Sequence, residues 1–179
     1  DNGVCRGVGG HGIDFSPATT NIPATLKITN VTFYEWGKAT GAVDKAAIRV
    51  NPAATVLSLI VSNNSFIGNA NPGEEYGILF NGNTVGIFSN NTFRNITTAP
   101  GIGFKTVATD VNYIFTGNHL SGNTKAIESS SKTAGSRHVI TNNIVTDNTG
   151  NSCTNLNAVN ITLANNTNAS NFVATDPCP

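Results

Sequence analysis

The chain has 179 residues, of which 27 are Asn and 23 are Thr, and only 11% are charged. Ten Lys and Arg residues balance ten Asp and Glu residues, so the formal net charge is zero. A neutral chain without a basic cluster is not expected to bind nucleic acid or anionic membranes, and no apolar run reaches the roughly 20 residues of a membrane-spanning helix. Because few charged residues are available as ligands or as acid–base groups, we predict neither a metal site nor a cofactor.

A six-residue block with central Asn residues recurs six times along the chain, at spacings of 33, 27, 27, 25 and 23 residues. The blocks lie at 28–33, 61–66, 88–93, 115–120, 140–145 and 163–168. Most blocks are followed by a small residue and alternating apolar residues, as in Gly-Ile-Leu-Phe at 77–80. An alternating run also precedes each block. Period-2 alternation indicates strands with one buried face, and Gly, Pro and Asn between them indicate turns.

Three short strands per repeat of about 25 residues predict an all-β fold, the right-handed parallel β-helix, with about six coils and Asn ladders. We expect one domain, with an N-terminal end segment at 1–11, coils at 12–171 and a C-terminal tail at 172–179. The alternative is an antiparallel β-sandwich with coincidental Asn turns. That alternative does not account for six aligned blocks at nearly constant spacing.

Stacked coils place the Asn residues of successive blocks above one another in two columns. Such Asn side chains can hydrogen-bond from coil to coil as a ladder. The first predicted ladder comprises Asn30, Asn63, Asn90, Asn142 and Asn165. In the block at 115–120, Gly117 occupies the position of the first-ladder Asn. The second predicted ladder comprises Asn64, Asn91, Asn118, Asn143 and Asn166.

The Asn-Asn blocks and the Gly-Ile-x-Phe pieces, from Gly12 to about Asn171, resemble the right-handed parallel β-helix superfamily, the pectate-lyase-like proteins. The segments at 3–7 and 135–140 also look like secreted bacterial β-helix repeat proteins. The resemblance implies an extracellular or cell-surface location and often glycan-related work. It implies no particular activity, because one fold hosts many functions.

The enzymes of that superfamily allow a test for catalysis. Its lyases hold calcium with clustered acidic residues, whereas here only Glu74 and Glu75 are adjacent, and we expect them in a solvated Pro-Gly loop. Its hydrolases use paired Asp residues upstream of a Gly-His-Gly. That tripeptide surrounds His11 here, but only one Asp precedes it, and glycoside hydrolysis requires two carboxylates. His119 and His138 are interpreted as polar strand residues, so we predict no catalytic residue and favour a protein that is not an enzyme.

An apolar stripe is predicted on the outside of the solenoid. By alternation, the residue before each of four successive blocks points outward; these residues are Ile60, Ile87, Ile114 and Val139. Contiguous exposed apolar residues usually mark contacts, so the stripe is a candidate interface with another copy. The alternative is that a loop or a terminal segment of the same chain covers it.

Two aromatic residues near the first block are candidate glycan contacts. Tyr34 and Trp36 share a phase opposite to Phe33, which predicts a pair of exposed rings that can stack on sugars. The alternative is that they pack over the first coil near the end of the solenoid.

The three cysteines suggest a disulfide and an odd thiol. Cys153 and Cys178 are 25 residues apart, which is one coil, so they can lie close together and bond. Cys5 belongs to the opposite end, and an odd Cys in a secreted protein suggests pairing between molecules. Head-to-tail stacking would bring Cys5 of one copy to Cys153 or Cys178 of the next. The alternatives are a buried free thiol or a C-terminal tail that folds back.

We therefore predict a non-enzymatic secreted or surface β-helix whose partners are other copies of itself. Association is expected laterally through the stripe or end to end into filaments, because head-to-tail contacts that do not close generate filaments. The alternative is a carbohydrate-binding or polysaccharide-degrading β-helix, such as a tailspike-like or lyase-like fragment, with a glycan as the partner. Neither hypothesis includes nucleic acid or membrane insertion.

Overall fold

The fold is an all-β solenoid, seen in a computed structural model. The structure describes residues 3–16, 24–39, 41, 45–50, 57–80, 85–107, 112–129, 137–150, 153–154 and 161–169. These residues form strands and turns and contain no helix. In this part of the chain, accordingly, no helix is present that could span a membrane.

The described strands are short, as expected for alternating runs that are bounded by turns. In chain order they are β1 (Gly3–Arg6), β2 (Ile13–Phe15), β3 (Ala24–Thr29), β4 (Val31–Tyr34), β5 (Ala46–Val50), β6 (Leu57–Ser62), β7 (Ser65–Ile67), β8 (Tyr76–Phe80), β9 (Val85–Ser89), β10 (Thr92–Arg94), β11 (Ile102–Thr106), β12 (Asn112–Thr116), β13 (His119–Ser121), β14 (Lys125–Ser129), β15 (His138–Thr141), β16 (Ile144–Thr146), β17 (Cys153–Thr154), β18 (Ile161–Ala164) and β19 (Thr167–Ala169).

Each strand pairs in parallel with the strand three positions later, which produces three stacked sheets. Sheet A has the order β1-β4-β7-β10-β13-β16-β19, sheet B runs β2-β5-β8-β11-β14-β17, and sheet C runs β3-β6-β9-β12-β15-β18. This arrangement confirms the predicted parallel β-helix. The predicted count of six coils is too high: about four coils, β5 to β16, are stacked on both sides in all three sheets. The first and last coils lie at the ends, where strands such as β2, β3, β17 and β18 pair on one side only.

Apolar side chains from all three sheets fill the interior of the solenoid. Phe33, Phe66 and Phe93 stack from coil to coil, with ring centroids 5.0 and 4.6 Å apart. Small residues line the bend into sheet B, where there is little room. A Cβ atom added to Gly77 would lie 2.5 Å from the Gly103 carbonyl oxygen and 2.8 Å from the Phe93 ring. Gly77 and Gly103 are the second residues of β8 and β11, and packing against the backbone of the next coil requires a small residue at this position.

The first Asn column forms the turn between sheets C and A, and this corrects its prediction as a ladder. Its Asn residues have φ between 54° and 58°, and Gly117 at the same position has φ 66°. All of them are exposed. Asn and Gly are the residues that adopt this left-handed conformation most readily. This column therefore supplies backbone conformation, and its side chains face solvent.

The second Asn column is a ladder that is buried from Asn64 to Asn143 and half-buried at Asn166. The side-chain oxygen of each Asn accepts the backbone N–H of the preceding coil at 2.9–3.0 Å, from Val31 donating to Asn64 through Asn143 donating to Asn166. Each amide nitrogen also donates to a carbonyl oxygen of the preceding coil, for example from Asn118 to Phe88 at 3.0 Å. These bonds satisfy backbone groups at a buried corner, where an unpaired group would be costly.

A second buried Asn pair lies at the corner between sheets A and B, and the sequence reasoning missed it. Asn123 accepts the backbone N–H of Ile96 at 3.1 Å, and Asn148 accepts that of Asn123 at 3.0 Å. The residues before these two Asn, Gly122 and Asp147, have φ of 65° and 54°. The sequence signal for this pair is the Gly-Asn dipeptide at 122–123 and the Asp-Asn dipeptide at 147–148, each of which follows the sheet A strand of its coil.

Candidate functional site

The outer face of sheet C carries an in-register column of apolar residues. The pairing of β3, β6, β9, β12, β15 and β18 aligns Lys27, Ile60, Ile87, Ile114, Val139 and Thr162. Their neighbours along the strands, such as Leu59 and Phe115, are fully buried inside the solenoid. The four central residues, which we call the apolar stripe, therefore face outward. Ile114 is 40% exposed and the other three are half-buried.

Small uncharged residues flank the apolar stripe on the same face. The hydroxyl residues that follow it along the strands are Thr29, Ser62, Ser89, Thr116 and Thr141. On the other side, Val85 is 54% exposed, and Asn112 accepts the backbone N–H of Arg137 at 2.8 Å. Among the described residues of this face only Lys27 and Arg137 are charged. The face can therefore bury surface against a flat partner without desolvating many charges.

A shallow groove lies beside the stripe and was not predicted. It has a volume of about 420 Å³ and is lined by Val85, Asn112, Tyr113, Ile114, Arg137 and Val139. Below it, the buried Tyr113 ring stacks on His138 with ring centroids 4.3 Å apart. Burial raises the pKa of Tyr113, and this hydroxyl therefore stays protonated. The groove offers apolar walls with one guanidinium and one amide at its rim.

Of the two interpretations of Tyr34 and Trp36, exposed rings or packing at the first coil, the exposed one is wrong for Trp36. Tyr34 ends β4 half-buried, with the Arg6 guanidinium 5.3 Å from its ring. Glu35 then adopts φ 56°, which ends the strand alternation and turns the next side chain inward. Trp36 is only 1% exposed and belongs to the core. Tyr34 alone remains as a candidate glycan contact.

His11 lies in a polar cluster at the edge of sheet B. Its Nδ1 accepts the backbone N–H of Ala46 at 3.1 Å, and its Nε2 lies 3.3 Å from Arg49, which pairs with Asp14 at 3.5 Å. Burial chiefly lowers the pKa of His11; Asp14 opposes this effect, and Arg49 and Lys45 add to it. Within the described residues the cluster holds one carboxylate, whereas glycoside hydrolysis requires a pair.

Glu74 is buried, and this corrects the predicted solvated turn. Its carboxylate accepts the backbone N–H groups of Asn69 and Asn71 at 2.6 and 2.9 Å, and the Asn71 amide at 2.9 Å. The loop folds around the carboxylate, and its N–H donors replace the water molecules that would otherwise hydrate this group. Across the described residues there is no group of three or more potential metal-ligating side chains.

Charges on the outer face of sheet B compensate one another. Glu128 accepts hydrogen bonds from Lys105 at 3.0 Å and from Lys125 at 2.8 Å, and the Lys105 ammonium lies 5.2 Å from the centre of the Tyr76 ring. Burial raises the pKa of Glu128, but the two lysines outweigh that effect, and the pKa is lowered overall. This face is therefore internally paired, in contrast to the uncharged face of sheet C.

The structure places one predicted cysteine in detail. Cys5 is a free, half-buried thiol on β1, packed against the core, and burial raises its pKa. Cys178 lies outside the described residues, and for Cys153 only the backbone of β17 is described. The Cys153–Cys178 disulfide and the pairing of Cys5 between molecules stay predictions.

The structure brings the four predicted interface residues into one column, and it adds Val85, Asn112 and Arg137 beside them. Val85 could have been found from the sequence, because it is two residues before Ile87 in the same strand. The stack of Tyr113 on His138 could also have been found, because the aligned blocks at 115–120 and 140–145 place these residues side by side, two positions before each block. Comparison of the chain with protein-family models, curated proteins and solved structures finds no match.

Proposed function

We propose that the protein is a structural β-helix, secreted or displayed at a cell surface, that associates with other copies of itself and has no enzymatic activity. The observation that carries this proposal is the apolar stripe in register on an otherwise uncharged sheet C face. The extracellular location follows from the resemblance of the repeats to pectate-lyase-like and secreted β-helix proteins. Contiguous apolar surface on a soluble protein usually marks a contact.

The size of the face sets the expected strength of the contact. Six strands about 4.8 Å apart, with five residues each at about 3.3 Å, span roughly 480 Å² per copy. Two copies would bury about 1,000 Å², which is the lower limit for a specific interface. We therefore expect weak, concentration-dependent association through this face.

Sedimentation velocity over a range of protein concentrations tests the proposal. The wild-type protein is expected to associate, and Ile114→Lys to shift the equilibrium to monomer, because the lysine would lose its hydration in the contact. Ile144→Lys is the matched control, since Ile144 is 46% exposed but lies on sheet A. Loss of association in both variants, or in neither, would contradict the assignment of the stripe.

End-to-end association into filaments, with Cys5 bonded to a neighbouring copy, remains a second mode of the same function. A copy stacked end to end in this way would not extend the Asn ladder. Gly3 and Val31 occupy the ladder position in the first two layers of sheet A, and neither has a side-chain oxygen for the N–H of Asn166 in a stacked copy. Electron micrographs with and without reductant would distinguish filaments from compact oligomers.

Carbohydrate binding is the second candidate function, and the groove beside the stripe favours it. Asn112 and Arg137 at its rim can hydrogen-bond sugar hydroxyls or carboxylates. Calorimetric titration with neutral and acidic oligosaccharides tests this candidate. Saturable binding that Arg137→Ala abolishes, in a protein that stays monomeric, would favour the glycan hypothesis over self-association.

A further inference from the structure

We infer that two copies pack sheet C face to face with their solenoid axes antiparallel. The two-fold axis runs parallel to the strands and passes between Ile87 and Ile114. This inference rests on the proposed self-association and specifies its geometry. The column on this face has six layers, with four apolar residues between Lys27 at one end and Thr162 at the other. A six-layer column with a central apolar stripe matches its own reversed copy, as an isologous contact requires.

The antiparallel orientation pairs apolar with apolar residues in every central layer. Ile60 then lies opposite Val139 of the second copy, and Ile87 lies opposite Ile114 of the second copy. The faces of packed sheets are about 10 Å apart, so these side chains meet at the centre of the contact. Because Val139 and Ile114 line the groove, the side chains of the second copy at Ile60 and Ile87 would fill it.

The charges of the face favour the antiparallel over the parallel orientation. A parallel arrangement would place Lys27 opposite its own copy, and like charges that lie directly opposite are destabilising. In the antiparallel arrangement Lys27 lies opposite Thr162. Arg137, which aligns with the column of Asn112 and Ser58, lies opposite Ser58. Neither cation therefore lies directly opposite a like charge, and the two-fold symmetry closes the contact as a dimer.

Charge complementation between two variants tests this geometry. Ile60→Lys and Val139→Glu are each expected to weaken self-association on the order of tenfold or more, because each buries an unpaired charge. An equimolar mixture should recover a heterodimer, since the introduced lysine of one chain faces the introduced glutamate of the other. The mixture of Ile60→Lys with Ile60→Glu is the matched control and should stay monomeric, because in the antiparallel arrangement the two introduced charges lie three layers apart.

The controls separate this geometry from the proposed function. Circular dichroism and urea midpoints confirm that each variant is folded, and Ile144→Lys reports the effect of a lysine on another sheet. A wild-type protein that stays monomeric at all concentrations overturns the proposed function. If the wild-type protein dimerises, but Ile60→Glu and not Val139→Glu restores dimerisation of Ile60→Lys in a mixture, the antiparallel geometry is wrong and the proposed function stands.

Discussion

Replacement of Asn118 by Leu removes one rung from the buried Asn ladder. Asn118 is 1% exposed, and its side-chain oxygen accepts both the backbone N–H and the side-chain amide of Asn91, at 2.9 and 3.0 Å. Its amide donates to the Phe88 carbonyl oxygen at 3.0 Å. Leucine has a similar size but can neither accept nor donate. The substitution therefore strands buried backbone groups on Asn91 and Phe88 while it largely preserves the packing volume.

The cost follows from the number of stranded groups. A buried polar group that loses its partner costs about 1–3 kcal/mol, so two groups cost roughly 2–6 kcal/mol. The Asn91 amide keeps its second bond, to the Val61 carbonyl oxygen at 2.9 Å, and adds little. Since small domains have a free energy of unfolding of about 5–15 kcal/mol, Asn118→Leu should be strongly destabilised or unfolded.

Urea denaturation measures the effect, followed by circular dichroism and by the fluorescence of Trp36, with linear extrapolation to water. Asn142→Gly is the matched control. Asn142 is exposed with φ 57°, and Gly117 occupies the equivalent place in the preceding coil, so this change should stay within about 0.5 kcal/mol. If Asn118→Leu is no less stable than Asn142→Gly, the ladder does not stabilise the solenoid and the reasoning fails.

Three further predictions concern the core, the bend and an ion pair. Trp36→Ala should lose about 3–5 kcal/mol of stability, and acrylamide should quench native Trp36 poorly; efficient quenching would contradict its burial. Gly77→Ala should lower the urea midpoint because its Cβ would clash with backbone, whereas Gly10→Ala, with no heavy atom within 4 Å of its added Cβ, should not. Because the folded-state pKa of Glu128 is lowered, its stabilising effect is complete above the ordinary glutamate pKa of about 4.3 and is lost as the pH falls through the lowered value. Glu128→Gln should therefore be less stable than wild type at pH 7, and thermal denaturation should show the two converging in acid; a difference that does not depend on pH would refute the ion-pair explanation.

The parallel β-helix and its register were predictable because they follow from local alternation and from the spacing of the blocks. The stripe from Ile60 to Val139 was predictable for the same reason, since period-2 alternation assigns each residue to a face once the strand is known. The same rule failed at Trp36, because it holds only while the strand continues. Glu35 ends the strand with a left-handed residue, and no local pattern marks Glu35 for that conformation.

The sequence by itself determined that Asn recurs at one corner of each coil, but it did not assign different roles to the two Asn columns. Tertiary structure made that distinction. Asn63 adopts the left-handed turn in solvent, whereas the next residue, Asn64, faces inward and must satisfy backbone groups of the neighbouring coil. Likewise, Glu74 reads as a polar loop residue, and only the fold of that loop shows a carboxylate enclosed by N–H donors. Strand alternation is a local property, whereas burial and hydrogen-bond partners depend on segments about 25 residues apart that meet only when the coils stack.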